Sequence, residues 1–208
     1  MTDRPTTLAL HDFALSGHCH RVRLMLALLG LPCETRPVDL VAGEHKQASF
    51  LALNPLGQVP VLRDGELALA DSNAILVYLA SRYGAESWLP REPRRAAAVQ
   101  RWLSIAAGEI AFGVAAARAA TLFGMPCDDR AAAQARGRAI LGIMDDALKD
   151  SAFLAGPEPT IADVACYAYI ARAPEGGVAL EPHRAVRAWL ERVESLPGFV
   201  AMPVAAGS

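Results

Sequence analysis

The sequence has very little lysine and no excess of charge of either sign. Its 208 residues hold 20 lysines and arginines against 22 aspartates and glutamates, a formal net charge of −2, and only 2 of the basic residues are lysines. A protein that wraps nucleic acid or coats an anionic membrane needs a basic surface, which this composition does not supply. We therefore expect neither nucleic acid nor a membrane as a partner. The abundance of arginine and alanine is typical of a GC-rich bacterial genome.

Long uncharged runs and paired cysteines are also missing. No stretch without a charged residue reaches the ~20 residues that a membrane-spanning helix requires, and residues 1–5 lack the basic-then-apolar pattern of a secretory signal. The four cysteines, Cys19, Cys33, Cys127 and Cys166, show no CxxC spacing. This spacing argues against a zinc knot and against a dithiol redox motif. The sequence therefore predicts a cytoplasmic protein with free thiols and no metal.

Alanine is distributed unevenly, and this divides the chain in two. Residues 1–83 contain 10 alanines and alternate strand-like with helix-like runs, whereas residues 84–208 contain 31 and favour helix almost throughout. Two prolines, Pro90 and Pro93, lie in the polar segment between them, as is usual in a linker. We expect an α/β domain over residues 1–83, a linker over 84–93 and an all-α domain over 94–208.

The first part predicts a mixed sheet covered by helices. Asp64 and Gly65 form a strong turn signal between two strand-like runs, which adds an antiparallel hairpin to a parallel βαβ unit. The order is βαβ, then α, then ββα. Strands are predicted at residues 7–11, 33–38, 59–63 and 67–69, and helices at 19–29, 44–53 and 72–83. The second part predicts a bundle of about five helices, within residues 93–120, 130–149, 160–172 and 183–195.

Three short segments of the first part have residues suited to ligand binding. Ser16 precedes the first helix, where its hydroxyl can cap the helix or contact an anion held over the free N–H groups of that helix start. Pro60 opens a buried strand, and a cis Val59–Pro60 bond would turn the Val59 N–H and C=O toward a peptide-like ligand. Asp71 and Ser72 come directly before an apolar helix. Ser72 suits an N-cap, and the pair suits an α-amino, α-carboxyl group.

Together and in this order, these segments resemble the glutathione S-transferase superfamily, in its serine-type, theta- and zeta-like branch. Two further stretches carry the resemblance through the chain: residues 156–163, where Thr160 and Asp163 form a capping box, and the closing helix of residues 189–199. The resemblance implies a thioredoxin-like glutathione domain followed by a helical domain. It also implies a homodimer and glutathione as co-substrate, used to detoxify a small hydrophobic electrophile.

The resemblance assigns roles to individual residues. It implies that Ser16 is the catalytic hydroxyl, which donates to the glutathione sulfur and stabilises the thiolate. His45 is expected near the glycine carboxylate, with Lys46 as a second candidate, although a solvated helix face explains this pair almost equally well. The expected glutathione-binding residues are Ser16, His45, Gln58, Val59, Pro60, Asp71 and Ser72. The expected electrophile pocket contains Phe13, Leu15, Ile105 and Phe112, with Trp102 as a further apolar candidate.

Alternatives remain at this point. Cys19 is a rival to Ser16, because some bacterial members form a mixed disulfide near this loop, but its spacing with Val22, Leu26 and Leu29 places it on the core face of the helix. A glutathione-dependent isomerase of the maleylacetoacetate type shares the run from Arg21 to Arg23 and differs at the start of the loop. A disulfide reductase or peroxidase, or a non-enzymatic binding module, would use the same fold.

Overall fold

The N-terminal part of the chain forms a four-stranded mixed sheet. The computed structural model describes residues 8–126 and 129–205, and the sheet has the order β2-β1-β3-β4. Strands β1 and β2 are parallel, and the other neighbours are antiparallel, which confirms the predicted mixed sheet. Thr7, predicted as the first strand residue, and Cys127 lie outside the described residues. The strands are β1 (Leu8–Asp12), β2 (Cys33–Pro37), β3 (Val61–Asp64) and β4 (Leu67–Ala70).

Three helices accompany the sheet: α1 (Gly17–Leu28), α2 (Ala48–Leu51) and α3 (Ser72–Tyr83). The bounds of α3 are those predicted. Helix α1 begins two residues earlier than predicted, because the Ser16 hydroxyl accepts a hydrogen bond from a backbone N–H of its first turn. The single helix predicted at residues 44–53 is instead a 3₁₀ turn, Glu44–Lys46, followed by α2, because Gln47 between them has an extended backbone with φ −76° and ψ 153°.

The C-terminal part is helical, as predicted. One continuous helical run consists of α4 (Pro93–Ile105), a π-helical segment (Ala106–Ala115) and α5 (Ala116–Phe123). By length and composition alone this run is apolar enough to cross a membrane, a test that the core helices of folded domains also pass. The run packs against the other helices through buried residues such as Trp102, Ile110 and Val114. The remaining elements are α6 (Arg130–Ala147), α7 (Ile161–Ala171), a 3₁₀ turn (Ala173–Gly176) and α8 (Arg184–Glu194).

Helix α7 is the centre of the molecule, since all ten residues from 161 to 170 are buried. The predicted capping box is present at its start: the Thr160 hydroxyl accepts from the first turn, and the Asp163 carboxylate accepts from the Thr160 N–H at 2.9 Å. The indole N–H of Trp189 in α8 donates to the same carboxylate at 2.9 Å. Helix α7 also packs against α1, α3 and α4. Near its C-terminal end, the Tyr169 ring packs against His18 of α1.

Candidate active site

Two adjoining cavities lie beside the start of α1. The smaller has a volume of about 250 Å³ and lies between α1, the loop before β3 and the start of α3. The larger, of about 730 Å³, extends from the same loops to α5 and α7. His18, Gln58 and Val59 line both cavities. The seven residues predicted to bind glutathione all line one or both of these cavities: Ser16, His45, Gln58, Val59, Pro60, Asp71 and Ser72.

Ser16 has the capping role considered for it from the sequence, and it also lies beside a cavity. It is the N-cap of α1, and its Oγ accepts from the Cys19 N–H at 3.3 Å. The same residue lines the larger cavity and is half-buried. Its O–H also reaches the Cys19 thiol, but a thiol is a weak acceptor. A stronger acceptor in the cavity can therefore take this hydrogen bond while the cap stays in place.

Cys19 lies in the core, as its spacing on α1 predicts. Its side chain is fully buried, and its Sγ accepts from the Phe13 N–H at 3.4 Å. Burial raises the pKa of the Cys19 thiol to about 12. Because the thiolate is the reactive form of cysteine, this thiol is inert at neutral pH. The geometry thus favours Ser16 over Cys19 as the group that acts on a ligand.

The loop before β3 presents the backbone of Val59 to the cavities. The Val59–Pro60 bond is cis, as the position of the proline suggested. Strand β3 begins its pairing with β1 at Val61, so the sheet does not use the Val59 N–H and C=O. The buried Asn54 side chain fixes the loop by donating to the Gln58 carbonyl at 2.8 Å and accepting from the Leu56 N–H at 3.1 Å.

The turn into α3 brings Asp71 and Ser72 to the smaller cavity. The expectation that Ser72 caps α3 is wrong: Asp71 is the N-cap, and its carboxylate accepts from the Ala74 N–H at 2.9 Å. Asp71 has a φ of +70°, a conformation that costs a non-glycine residue on the order of 1–3 kcal/mol and is concentrated at ligand sites. Ser72 is instead the first helical residue, and its buried Oγ accepts from Arg21 Nη1 at 3.1 Å.

Arg21 and His18 both contact Ser72 at the start of this turn. Arg21 is buried, and its Nη1 also contacts His18 Nδ1 at 3.0 Å, while His18 Nδ1 lies 3.3 Å from Ser72 Oγ. Burial, and after it the neighbouring Arg21 charge, lowers the pKa of His18 to about 3. The imidazole is therefore neutral at physiological pH and holds the Ser72 hydroxyl without adding charge to the cavity.

His45 and Lys46 lie at the outer edge of the larger cavity. Lys46 Nζ donates to the carbonyls of Gly57 at 3.0 Å and Leu56 at 3.3 Å, so it braces the loop of the binding groove. Gly57 has a φ of +56°, and a Cβ there would come within 2.7 Å of the His45 carbonyl oxygen. His45 lines the cavity without these contacts, which leaves it the better placed of the two to meet a ligand.

The larger cavity is apolar on the side of the helical domain, but with different residues from those expected. Phe13 and Leu15 line it as predicted. Ile105 and Phe112 do not: Ile105 packs against the core, and the Phe112 side chain is 65% exposed. Trp102 is buried in the core. Phe112 lies in the π-helical segment, whose wider turns change the face that the run presents, whereas Ile105 and Trp102 precede that segment in α4 and pack into the core. The helical wall consists of Ala111, Ala115, Ala116, Arg118, Ala119, Phe123 and Tyr169, with Met125 beyond the run.

Comparison with known proteins identifies the family. The chain matches the family models for the glutathione S-transferase N-terminal domain over residues 10–87 and C-terminal domain over residues 115–192. It is 36% identical to glutathione S-transferase 3 of Zea mays, covering 92% of this chain and 91% of that protein. The chain belongs to the glutathione S-transferase family. Its function is that of a glutathione transferase enzyme.

Other glutathione S-transferases agree in sequence and structure. The theta-2 enzyme of Mus musculus is 35% identical, over 92% of this chain and 82% of its own. The crystal structure of a glutathione S-transferase from Pseudomonas fluorescens superposes with a TM-score of 0.89 at 36% identity, over 95% of this chain and 99% of the other. A Drosophila mojavensis homologue solved with bound glutathione has a TM-score of 0.83 at 27% identity, over 92% and 89% of the two chains. These relatives do not favour the isomerase, reductase or binding-module alternatives.

In this glutathione transferase, one buried arginine links the two domains beside the site. Arg118 Nη1 donates to the Leu15 carbonyl at 3.0 Å, and its Nε donates to Glu175 at 2.6 Å. The residue before Ser16 is thus held by the helical domain. In the described ranges, 8–126 and 129–205, no three His, Cys, Asp or Glu residues cluster as metal ligands.

Several residues that contact this site are not indicated by the sequence patterns above. Arg118, Arg21, Asn54 and Tyr169 all contact it, and none was singled out for it. A charged residue among the apolar positions of α1 was the available signal for Arg21, since a buried arginine needs partners. Tyr169 and Arg118 are distant in sequence from the loops that they contact, so no local pattern could indicate them.

Proposed function

We propose that this glutathione transferase binds glutathione along the two cavities with its sulfur at Ser16 and conjugates it to a small hydrophobic electrophile. The observation that carries the proposal is the Ser16 hydroxyl, which lines the larger cavity at the first turn of α1. The Drosophila mojavensis homologue with bound glutathione supports the choice of ligand. The apolar wall beyond Ser16, with Phe13, Leu15 and Phe123, supports the choice of a hydrophobic second substrate.

The energies are sufficient for activation of the thiol without a general base. To lower the pKa of a thiol by two pH units, the site must favour the thiolate over the thiol by about 2.7 kcal/mol. A hydrogen bond to a charged group contributes about 1.5–3 kcal/mol, and the N-terminus of α1 adds about 0.3–1 kcal/mol. Ser16, at that N-terminus, supplies both contributions. The thiolate then attacks the electrophile as the nucleophile.

The remaining residues would hold the tripeptide along the groove. The N–H and C=O of Val59, which the pairing of β3 with β1 does not use, suit the cysteinyl backbone of glutathione, which pairs with them as a short strand would. Asp71 and Ser72 suit the γ-glutamyl amino and carboxyl groups, with Gln58 beside them. His45, at the outer edge, suits the glycine carboxylate.

Assembly and location complete the proposal. A homodimer follows from membership of a family in which dimers are typical. A cytoplasmic location is supported by the buried, unpaired thiols of Cys19 and Cys166, because free thiols are usual in a reducing compartment and disulfides in an oxidising one.

Replacement of the proposed catalytic hydroxyl tests the function. We expect Ser16→Ala to lower kcat for a chloronitrobenzene-type electrophile by one or more orders of magnitude, because the thiolate loses its donor, with little change in the binding of glutathione. Steady-state kinetics give the first quantity, and calorimetric titration with glutathione gives the second.

Cys19→Ala is the matched control, three residues away on the same helix. Because Cys19 is buried and protonated, this variant should keep kcat within a few-fold of wild type even if its stability falls. A full loss of turnover in Cys19→Ala together with wild-type turnover in Ser16→Ala would reject the assignment of Ser16.

A further inference from the structure

Tyr169, near the end of α7, lies against the start of α1. A Cβ added to Gly17 would come within 2.6 Å of Tyr169 Cζ and within 2.7 Å of its Cε1. Glycine at position 17 is thus the residue that lets the tip of the phenol ring approach the helix backbone. Tyr169 is 93% buried and lines the larger cavity together with Ser16 and His18. A side chain of the helical domain therefore reaches the residue next to the proposed catalytic serine.

The side chains of Tyr169 and Ser16 both lie at the first turn of α1 and line the larger cavity. The backbone N–H of His18 faces the Tyr169 hydroxyl and acts to lower its pKa, and Ser16 Oγ accepts from the Cys19 N–H. Each oxygen thus lies beside one of the free N–H groups at the helix start, whose field polarises the O–H bond. The Tyr169 O–H has no acceptor among the described residues. An anion held at this helix start would provide one.

The residues around Tyr169 fix the position of its ring, and burial keeps its hydroxyl protonated. The His18 ring packs edge-on at 5.1 Å between centroids, and the Arg21 guanidinium lies 5.4 Å from the centre of the Tyr169 ring. Burial raises the pKa of Tyr169 above its ordinary value, although Arg21 and Arg118 act in the opposite direction. At neutral pH the phenol is therefore a hydrogen-bond donor.

We propose that Tyr169 is a second catalytic hydroxyl, which donates a hydrogen bond to the glutathione sulfur alongside Ser16. This inference rests on the function proposed above. The thiol proton leaves to solvent, the sulfur lone pair forms the bond to the electrophilic carbon, and the leaving group departs with its electron pair. Tyr169 keeps its own proton throughout, and its hydrogen bond stabilises the thiolate. Two donors on one anion lower the pKa of the thiol further than one donor does.

Spectroscopic titration of the bound thiol tests this role. The ultraviolet absorbance of the thiolate is followed against pH with glutathione bound to wild type, Tyr169→Phe, Tyr167→Phe and Ser16→Ala. Tyr169→Phe should raise the pKa of the bound thiol by roughly one or more, the loss expected for one hydrogen bond to a charged group. It should also lower kcat/KM at neutral pH by about tenfold, with the loss recovered as the pH rises.

Tyr167→Phe is the matched control for a purely structural role. Tyr167 lies two residues earlier on α7, and its hydroxyl donates to Glu194 at 2.9 Å rather than lining either cavity. Both substitutions remove one buried hydrogen bond and should lower the melting temperature. Only Tyr169→Phe should change the pKa of the bound thiol. An equal change in both variants, or in neither, would overturn the inference.

The wild-type curve separates the two proposals. A lowered thiol pKa in wild type that Tyr169→Phe leaves unchanged overturns the role of Tyr169 and leaves the proposed function intact. A wild type that does not lower the pKa of glutathione overturns both. If Tyr169→Phe does not fold, Gly17→Ala serves instead, since its Cβ pushes the phenol away from the helix start. That variant should raise the thiol pKa, and an unchanged value would also reject the role.

Discussion

Two histidines of α1 are neutral because the fold buries them. The pKa values of His18 and His20 are both lowered to about 3, chiefly by burial and secondarily by the nearby arginines Arg21, for His18, and Arg23, for His20. In the unfolded chain a histidine titrates near 6.5. Between pH 6.5 and about 3 the unfolded state therefore binds more protons than the folded state. The contribution of each histidine to stability is constant above this window and falls by about 1.4 kcal/mol per pH unit as the pH is lowered through it.

Removing His20 should make the protein more tolerant of acid. Both ring nitrogens of His20 lack a hydrogen-bond partner within the part of the chain that the structure describes, so a leucine there costs no hydrogen bond. We expect the free energy of unfolding of His20→Leu to decline less steeply than that of wild type between pH 6 and pH 4.5. Urea unfolding across this range measures the two slopes. Parallel curves would contradict the assignment of a neutral, buried His20.

At the residue scale, the sequence predicted those parts of the site that are contiguous in the chain. Ser16, the Val59–Pro60 bond and the Asp71–Ser72 pair were recognised because each sits at a helix or strand start, where capping and proline rules are local. The N-cap of α3 was placed one residue too late, because two adjacent capping residues compete and only the fold decides between them. Tyr169 and Arg118 depend on which helices meet, and local patterns carry no such information.

At the scale of elements, the capping box of α7 holds the central helix. Thr160 and Asp163 exchange hydrogen bonds, and Asp163 accepts two more from Leu154 and Trp189. We expect Thr160→Ala to lower the free energy of unfolding by about 0.5–2 kcal/mol and the melting temperature by roughly 2–4 °C per kcal/mol. Calorimetry measures both.

Thr121→Ala controls for loss of a threonine hydroxyl. Thr121 is exposed, and its hydroxyl only bonds to a carbonyl of its own helix at 2.9 Å. This variant should melt within about 2 °C of wild type, since surface substitutions change stability by less than about 0.5 kcal/mol. Equal melting temperatures for Thr160→Ala and wild type would show that the box contributes nothing.

Elements were predictable where one pattern governed their whole length. Helix α3 was predicted with its observed bounds because an apolar period continues from its first turn to the glycine that follows it. The segment of residues 44–53 was not, because the extended backbone of Gln47 interrupts it without a proline or glycine to signal the break. Ile105 and Phe112 were expected in the cavity only as apolar residues of the first long helix, and apolar character does not show which side of that helix faces the cavity, least of all through the π-helical segment that contains Phe112.

At the scale of the whole molecule, Arg118 joins the helical domain to the loop that carries Ser16. Its ion pair with Glu175 is buried, with 3% and 8% of the two side chains exposed. Removing one partner of a buried pair leaves the other charge unpaired, at a cost of about 3–5 kcal/mol. We expect Arg118→Leu to lose stability on this scale in urea unfolding, and to lower kcat because the Leu15 carbonyl loses its donor.

The double variant Arg118→Leu, Glu175→Leu distinguishes the stability lost with the ion pair from the stability lost with side-chain packing. If the cost arises from an unpaired charge, the double variant should lose less stability than the sum of the two single variants, because neither charge remains buried alone. Arg172, whose Nε lies 3.7 Å from Glu175, also loses a partner in the double variant and limits the recovery. Strictly additive losses would show that Arg118 and Glu175 stabilise the protein independently of their ion pair.

The π-helical segment has a consequence for comparisons among paralogues. One additional residue in a helix rotates the residues that follow it by about 100° about the helix axis. A homologue with an unbroken α-helix here would therefore present a different row of side chains to its second substrate. Aligning the two sequences column by column would then equate outward-facing positions with inward-facing ones. Selectivity rules inferred for one enzyme should be transferred to another by superposing coordinates, with residues 106–115 treated as the point where the register changes.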